Sequence, residues 1–504
     1  MSKKSFFDKF LGFVQKSADK LPEPMFLFAI LAVAVLLVSA VVSAYDVSVV
    51  HPGTGERVFS ENLLSVKWLQ RVFTDAVKNF AGFPPLGLVL ATMLGVGVAE
   101  RSGFISSLLK KFIRIVPDRF LTAALVFASI NSSLIADAGF VIMPAMGAII
   151  FYSAGRNPFA GIAASYAGIC GGFSANLLVT ALDPLLSGFA QPAAQMIEIE
   201  YEVFPTANYY FMIASVFLVT AVCTFVTDKF VEPRLGKFEK SEDSDLVKMG
   251  DDKIENENKA LIWALITFVV VSIAFFALTA PEGAFFRDSS GGIKPFFRSI
   301  IVIIIVLLFV PSLVFGIIAK RIKNSKDLAK MLAESMSTMG SYIVLAFFAA
   351  QFVAYFAWSN LGIITAVKGA EFLNWVGLSG IPLIIAFLLF SSIMNIFVYS
   401  ASAKWAVLAP VFIPMLMLMG YSPETTQVVY RVGDSVTNMV TPLLPYLPIV
   451  IAFGRKYDKK YSYGKLLSTV VPYSLSLLVI WGIFLVLWIW LELPLGPGVN
   501  IFYK

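Results

Sequence analysis

The sequence predicts an all-α polytopic membrane protein, and two observations carry that prediction. Of its 504 residues, 58% are hydrophobic and only 14% are charged, whereas soluble domains carry about 25% charged residues. The apolar residues are also gathered into runs of about 20, the length that a helix needs to cross a bilayer. The clearest runs are residues 25–45, 209–226, 260–280, 300–319, 342–358 and 467–491.

The first apolar run follows a basic N-terminal stretch, with five lysines between residues 3 and 20. A secretory signal peptide has a similar order, but this run is too long and no small-residue cleavage site stands out after it. We therefore predict a retained first helix, with its N-terminus in the cytoplasm.

Charge in the polar segments predicts which side of the membrane each one faces, because cytoplasmic loops are enriched in Lys and Arg. Three basic segments are predicted to be cytoplasmic: 229–259, 320–330 and 455–465. Four less basic loops are predicted to lie outside: 46–78, 191–208, 281–294 and 362–378. The last helix then ends outside, so the number of spans is odd. About nine spans fit, together with segments that enter the membrane and turn back.

A long polar segment divides the chain into two halves. Residues 227–259 have the composition of a solvated linker, rich in Lys, Glu, Asp and Asn. We predict four parts: an N-terminal helix and outer loop (1–79), a first half with one hairpin (80–226), a cytoplasmic linker (227–259), and a second half with another hairpin (260–504).

Two regions of the sequence contain polar residues within otherwise apolar runs, and the two regions resemble each other. The first covers residues 131–137 and 171–184, and the second covers 395–405 and 431–442. Backbone that leaves its helix at membrane depth is tolerated only where it is buried or lines a cavity. Paired, broken, polar segments in two halves of a chain are typical of secondary transporters that bind at the repeat interface.

Spacing supports a duplication. Pro144 and Pro410 are 266 residues apart, and Asn176 and Asn438 are 262 apart. A chance alignment of two polar breaks is the alternative, and the spacing does not show whether the copies are inverted.

Asp137 and Asp183 are carboxylates within the first region. A charge at the bilayer centre costs about 2.5–3.5 kcal/mol on the milder scales, so such residues usually face a wet cavity and have a partner. Ion or substrate coordination is one interpretation. The alternative is a structural carboxylate that caps the end of a re-entrant helix.

Four asparagines are candidate Na⁺ ligands, together with Asp183. Asn131 and Asn176 lie in the first region, and Asn395 and Asn438 mirror them in the second. Amide and hydroxyl oxygens are hard ligands, which suit Na⁺ better than zinc or copper. Small hydroxyl residues nearby can also serve helix packing alone.

The second region carries groups that suit an aromatic carboxylate. Arg431 can bind a carboxylate through two hydrogen bonds, and Trp405 can stack on an aromatic ring. Asp434, three residues after Arg431 on a helix, could instead form a local ion pair with it. Ser402 is a further substrate-binding candidate, and Lys404 is a further polar residue within the membrane.

Other classes of protein are disfavoured. The only cysteines, Cys170 and Cys223, lie in apolar stretches, and the only histidine, His51, lies in a polar loop. No disulfide framework or metal cluster follows from them, and no nucleic-acid partner is expected.

The chain has no G-x-x-x-x-G-K-[ST] motif for ATP. We predict no enzyme and no cofactor, with Na⁺ and/or H⁺ as the coupling ion. A channel remains a further alternative.

An intramembrane protease is the enzyme alternative. A serine type would need a base, and no histidine lies in a span. Asp137, Asp183 and Asp434 make an aspartyl type formally possible, but Asp434 lacks a glycine two residues before it.

Over nearly its whole length the chain resembles the p-aminobenzoyl-glutamate transporter family (AbgT). The resemblance rests on the joint occurrence of Leu-Gly-Val-Gly-Val-Ala-Glu-Arg-Ser-Gly at 94–103, Asp-Ala-Gly at 137–139, the 176–185 segment, Ser-Ala-Lys-Trp at 402–405 and the 423–442 segment.

This resemblance implies a homodimer of nine-span protomers with two re-entrant hairpins and inverted repeats, embedded in lipid in the bacterial inner membrane. It implies uptake of p-aminobenzoyl-glutamate or export of sulfonamide antimetabolites, with Asn395 at a Na⁺ site. A Na⁺-coupled transporter of another organic anion, such as a dicarboxylate, is the alternative, and it would not need Trp405. The resemblance assigns to the substrate pathway Asp183, Trp405, Pro423, Arg431, Asp434 and Pro442.

Overall fold

The computed structural model describes residues 22–52, 54–135, 138–238 and 254–503. Within these ranges the chain is almost wholly helical, apart from one antiparallel pair of short strands, β1 (Ser48–Val50) and β2 (Arg57–Phe59), in register at Val49 and Val58. The α-helices are α1 (Pro24–Ala44), α2 (Val66–Thr74), α3 (Ala76–Ala81), α4 (Pro84–Arg101), α5 (Phe104–Ile115), α6 (Leu121–Asn131), α7 (Ala138–Ser153), α8 (Pro158–Gly171), α9 (Leu182–Ala194), α10 (Tyr209–Val226), α11 (Glu232–Leu235), α12 (Glu257–Ala277), α13 (Lys294–Arg298), α14 (Ile300–Ile318), α15 (Ser325–Ser337), α16 (Gly340–Trp358), α17 (Leu361–Trp375), α18 (Gly380–Phe397), α19 (Ala401–Leu418), α20 (Pro423–Asn438), α21 (Leu447–Tyr457) and α22 (Tyr463–Trp490).

The chain is a multi-pass membrane protein. Over the described ranges, eight helices are long and apolar enough to cross a bilayer, and the bent pair α4 and α5, which meet at 53°, makes a ninth. Helix α12 is the most exposed of them, with only 17% of its apolar window buried, as expected of a helix that faces lipid.

Two groups of helices repeat the same order. The first consists of a hairpin (α6 and α7), a broken helix (α8 and α9) and a full span (α10). The second consists of α18 and α19, then α20 and α21, then α22. The first broken helix is interrupted over residues 172–181, after Gly171 and Gly172. The second is interrupted over 439–446, where Pro442 and Pro445 lack the N–H that a helix needs.

Each hairpin lies beside its own broken helix in the same way. A side chain at Gly172 would collide with the Ile130 carbonyl oxygen at 2.3 Å, and one at Gly433 would meet the Leu388 carbonyl oxygen at 2.7 Å. A side chain at Gly168 would meet the Val126 carbonyl oxygen at 3.1 Å, and Thr437 donates to the Ser392 carbonyl oxygen at 3.1 Å. In both pairs the contacting residues advance together along the two helices, so the first arm of each hairpin runs parallel to the first half of its broken helix. The tip of each hairpin consequently reaches the same depth as the break.

The two groups are inverted relative to each other. Helix α8 begins beside the basic 455–465 loop, where the Phe159 and Tyr461 rings stack with centroids 4.8 Å apart. Helix α20 begins at the opposite face, where the Tyr201 hydroxyl donates to Glu424 at 2.8 Å. The predicted duplication is confirmed as an inverted repeat, and the two broken helices meet halfway.

One predicted outer loop was wrong. Residues 362–378 are mostly helix α17, which buries Leu361, Ile364 and Ala366 and carries an exposed ion pair between Lys368 and Glu371 at 2.8 Å. The segment is shorter than a bilayer span and carries Lys368 and Glu371, so it was not identified as a helix. Part of the predicted linker, residues 239–253, lies outside the described residues.

Candidate functional site at the crossing of the broken helices

The two broken helices touch at a polar contact, which we call the crossing: residues 172–183 of the first and 431–438 of the second. Ser435 donates a hydrogen bond to the Ser174 hydroxyl at 2.7 Å, and Ser174 donates to the Arg431 carbonyl oxygen at 2.9 Å. All three residues are buried. Small hydroxyl side chains allow the two backbones to approach closely while their polar groups remain satisfied.

A buried ion pair joins the two halves. The Arg431 Nη1 atom lies 2.6 Å from Asp183 Oδ1, and both side chains are about 98–99% buried, with exposures of 2% and 1%. The other Asp183 oxygen accepts the Thr180 backbone N–H at 2.6 Å and the Thr180 hydroxyl at 3.0 Å. Asp183 therefore holds the turn before α9 and pairs with a buried charge of the other half, and its predicted part in ion or substrate coordination stays a prediction.

A second buried ion pair links hairpin 2 to α20. The Lys404 ammonium pairs with Asp434 and also donates to the Asn395 side-chain oxygen. Arg431 and Asp434 thus have different partners, so the local ion pair that their spacing allowed is not formed. Burying two such pairs is costly unless each charge stays compensated, which favours a functional purpose over a stabilising one.

The Asn395 amide holds this arrangement in place. Its nitrogen donates to the Asp434 carbonyl oxygen at 2.7 Å, to Asn438 Oδ1 at 2.8 Å and to Thr437 Oγ1 at 3.0 Å. Its oxygen accepts the Lys404 ammonium. In this conformation the Lys404 ammonium therefore binds the Asn395 oxygen that was predicted to coordinate Na⁺.

The asparagines of the first half form a separate oxygen cluster at the tip of hairpin 1. The Ser133 hydroxyl donates to Asn176 Oδ1, and Asn131 Oδ1 accepts the Leu177 backbone N–H at 3.3 Å. Asp137, predicted to lie here, falls outside the described residues. Across the described ranges, no group of three His, Cys, Asp or Glu side chains could hold a metal ion.

Trp405 is fully buried, with its ring stacked on Tyr430 at a centroid distance of 4.5 Å. Its indole N–H donates to the Leu186 carbonyl oxygen at 3.0 Å, which places it between hairpin 2 and α9. Ser402 is half-buried beside it and shares a hydrogen bond with Ser400 at 3.2 Å. Tyr430 therefore covers one face of the Trp405 ring.

Two prolines mark the ends of α20. Pro423 is buried in its first turn, after Ser422, whose hydroxyl accepts the Thr425 backbone N–H at 3.2 Å. Pro442 is half-buried in the second break. Neither is in the charge network, so their place in the substrate pathway stays a prediction from the family resemblance.

Sequence reasoning missed Tyr430, which covers Trp405, and Ser435, which completes the crossing. Tyr430 directly precedes Arg431, and this position next to an arginine within the membrane could have identified it as a candidate site residue. It also left out Glu424, a buried carboxylate at the start of α20. Its spacing from Arg431, two helical turns, places both on one face.

Comparison with known proteins agrees with this architecture. A model of the "AbgT putative transporter family" matches residues 9–503. The p-aminobenzoyl-glutamate transport protein of Escherichia coli (strain K12) is 38% identical over 498 residues, which are 97% of this chain and 96% of that protein.

Two solved structures share the fold. The YdaH transporter of Alcanivorax borkumensis, described as having an unusual topology, is 40% identical, with a TM-score of 0.89 over 94% of this chain and 100% of that one. MtrF of Neisseria gonorrhoeae, described as illuminating a class of antimetabolite efflux pumps, is 41% identical, with a TM-score of 0.91 over 97% of this chain and 100% of that one. Together with the family match, these relatives show that the chain is a transport protein of the AbgT family and not an enzyme.

Proposed function

We propose that this chain is an ion-gradient-driven secondary transporter that moves p-aminobenzoyl-glutamate, sulfonamide-type antimetabolites or both across the bacterial inner membrane. The substrate class is drawn from the E. coli relative, named for p-aminobenzoyl-glutamate, and from MtrF, whose description refers to antimetabolite efflux. The N-terminus is proposed to be cytoplasmic, because the basic loops then face the cytoplasm.

The observation that carries the proposal is the pair of buried ion pairs at the crossing. A guanidinium that already binds a carboxylate can exchange it for a carboxylate of the substrate, with the same hydrogen-bond geometry. Arg431 is suited to this, since its Nε atom is buried and has no hydrogen-bond partner in the ranges that the structure describes. Trp405 and Tyr430 then offer stacking surfaces for the aromatic ring.

The coupling ion is proposed to act through hairpin 2. Lys404 occupies the Asn395 oxygen, so Na⁺ can bind there only after the ammonium has left. Na⁺ and the Lys404 ammonium would then exclude each other from the Asn395 oxygen. Because Lys404 belongs to α19, binding of Na⁺ would be coupled to movement of that helix. Alternating access in such folds arises when one repeat moves against the other around a fixed site.

Flux of radiolabelled p-aminobenzoyl-glutamate into proteoliposomes tests the proposal, with an imposed Na⁺ gradient, an imposed pH gradient, or neither. Stimulation by Na⁺ would support cation binding by the asparagines. Stimulation by the pH gradient alone would assign coupling to protons and leave the asparagines with structural roles. Absence of flux under every gradient would contradict the substrate assignment and favour a different organic anion.

A further inference from the structure

An acidic cavity opens at the face opposite the basic loops, above the start of α20. It encloses about 550 Å³ between the loop that follows α9 and the C-terminal segment from Pro497. Its charged residues are mostly glutamates. Burial opposes ionisation of Glu202, but hydrogen bonds from Lys294 and Arg298 outweigh this and lower its pKa, so Glu202 is neutralised by its own partners.

Glu424 lies at the bottom of this cavity, with only 2% of its surface exposed. One of its carboxylate oxygens accepts the Tyr201 hydroxyl at 2.8 Å. Burial, and then the neighbouring Glu424 carboxylate, raise the pKa of the Tyr201 hydroxyl, so Tyr201 remains a hydrogen-bond donor. No cation pairs with Glu424 among the ion pairs of the described residues, in contrast to Asp183 and Asp434.

From Glu424 a line of buried polar groups continues along α20 towards the crossing. Asn208 donates to the Glu424 carbonyl oxygen at 2.9 Å, and Gln427 donates to Asn208 at 2.9 Å. The Gln427 Oε1 acceptor and the Arg431 Nε donor are both buried without a hydrogen-bond partner within the described residues. They belong to residues one helical turn apart on α20, which share one face of that helix.

We propose that Glu424 is a proton-exchange site open to the outer cavity, and that its charge controls entry of the anionic substrate to Arg431. The inference rests on the proposed function and orientation. The ionised carboxylate takes a proton from cavity water and later returns it there. While ionised, Glu424 repels a substrate carboxylate that approaches Arg431 along the same face of α20, and protonation removes that repulsion.

Other charged and titratable groups face Glu424 from the surrounding elements, and each is a competing source of pH dependence. They are Glu198, Glu200, Tyr201 and Glu202 from the loop after α9, Lys294 from α13 and Tyr503 from the C-terminal segment, with Arg431 two turns further along α20. Glu424 differs from Glu198 and Glu200, which are exposed, in being buried, and it differs from Glu202 in having no cationic partner among the described residues.

The first test measures entry of p-aminobenzoyl-glutamate from the outer side of proteoliposomes as the outer pH is varied at constant inner pH. In the native protein, entry should rise several-fold as the outer pH falls. Glu424→Gln should keep entry high and independent of outer pH, whereas the exposed cavity variant Glu200→Gln should keep the native profile. A Glu424→Gln profile that matches the native one would overturn the proposal.

Tyr201→Phe provides a milder variant if Glu424→Gln does not fold. It removes the hydrogen bond that favours the ionised carboxylate, so the midpoint of the profile should move to higher pH. An unmoved midpoint would contradict the proposal. An uncharged aromatic sulfonamide should show no such pH dependence, since it carries no carboxylate to repel.

A second readout does not depend on transport. Infrared difference spectra of the purified, lipid-embedded protein between acidic and neutral pH should contain a protonated-carboxyl band that Glu424→Gln abolishes and Glu200→Gln retains. A spectrum in which Glu424→Gln leaves every carboxyl band unchanged would refute proton exchange at Glu424. Absence of flux in all variants with this band present would refute the proposed substrate instead.

Discussion

At the scale of single residues, every charge in the crossing is neutralised by a partner from another element. Asp183 and Arg431 are 248 positions apart in the chain, and Lys404 and Asp434 are 30 apart. The sequence identified Asp183, Arg431 and Asp434 as candidate binding residues and Lys404 as a polar residue within the membrane, where isolated charges are costly. It could not identify the partners, since those depend on how the two broken helices cross.

Arg431→Ala should destabilise the protein by about 3–5 kcal/mol, because Asp183 would remain buried without its partner. The unfolding transition in detergent, followed by tryptophan fluorescence, measures this. Lys368→Ala breaks an exposed pair with Glu371 and serves as the control, with an expected cost of about 0–1 kcal/mol. Equal losses in the two variants would mean that the buried pair is not specially important.

The two substrate classes should separate Arg431 from Trp405. Arg431→Ala should abolish transport of p-aminobenzoyl-glutamate and affect a sulfonamide far less, because the sulfonamide lacks the glutamate carboxylates. Trp405→Ala should impair both, since both have an aromatic ring. Parallel flux assays measure this, and an equal fall for both substrates in both variants would contradict the assigned roles.

Lys404→Ala should free the Asn395 oxygen for an external cation. Na⁺ should then raise the melting temperature of the variant more than that of the native protein, because a ligand that binds only the folded state stabilises it by about 2.7 kcal/mol at 100 times its Kd. Choline at equal ionic strength is the control salt. The same response to Na⁺ in both proteins would place the cation elsewhere.

At the scale of elements, hairpin 1 is held against the first broken helix by glycines. A side chain at Gly161 would come within 2.1 Å of the Gly147 carbonyl oxygen, and one at Gly147 would meet the Gly161 carbonyl oxygen at 2.4 Å. Backbones this close leave no room for any side chain between α7 and α8. The close approach of the two backbones therefore fixes the position of α7 against α8 in this structure.

Gly161→Ala should cost at least about 1–3 kcal/mol, the usual range for overpacking, and should lower transport by displacing the hairpin. Thermal unfolding and flux measure the two effects. Gly87→Ala is the matched control, because the space around that helical glycine is open and alanine there should be neutral or stabilising by about 0.5–1 kcal/mol. Similar behaviour of both variants would show that α7 can shift freely.

Long apolar helices were predictable because a bilayer imposes their length and composition. The breaks were predictable as well, since Gly, Pro and polar residues interrupt apolar runs there. Helix α17 was not, because its 15 residues are too few to span a bilayer and include Lys368 and Glu371. The inversion of the repeats also had to come from the structure, as Phe159 and Glu424 identify opposite faces only through their contacts.

At the scale of the whole molecule, the described surface is apolar over a wide belt, including Trp263, Val270 and Phe276 on α12. This belt suits lipid and the proposed homodimer alike. Native mass spectrometry of the detergent-solubilised protein should give twice the chain mass of 55.1 kDa, with released lipid as further peaks. A persistent single-chain mass at the lowest activation energy that strips the detergent would contradict the dimer.

The inverted repeat has a consequence for the charges that it carries. Arg431 and Asp434 lie on α20 and Lys404 lies on α19, and the equivalent helices of the first copy, α8 and α7, contain no Asp, Glu, Lys or Arg. Suppose that the transporter opens to the other side when each repeat adopts the conformation that the other repeat had before. The first repeat then cannot form the ion pairs that the second repeat forms here, because it lacks the charged residues. One end state therefore holds charge contacts that the other lacks, and the resting protein should favour one side even without a gradient.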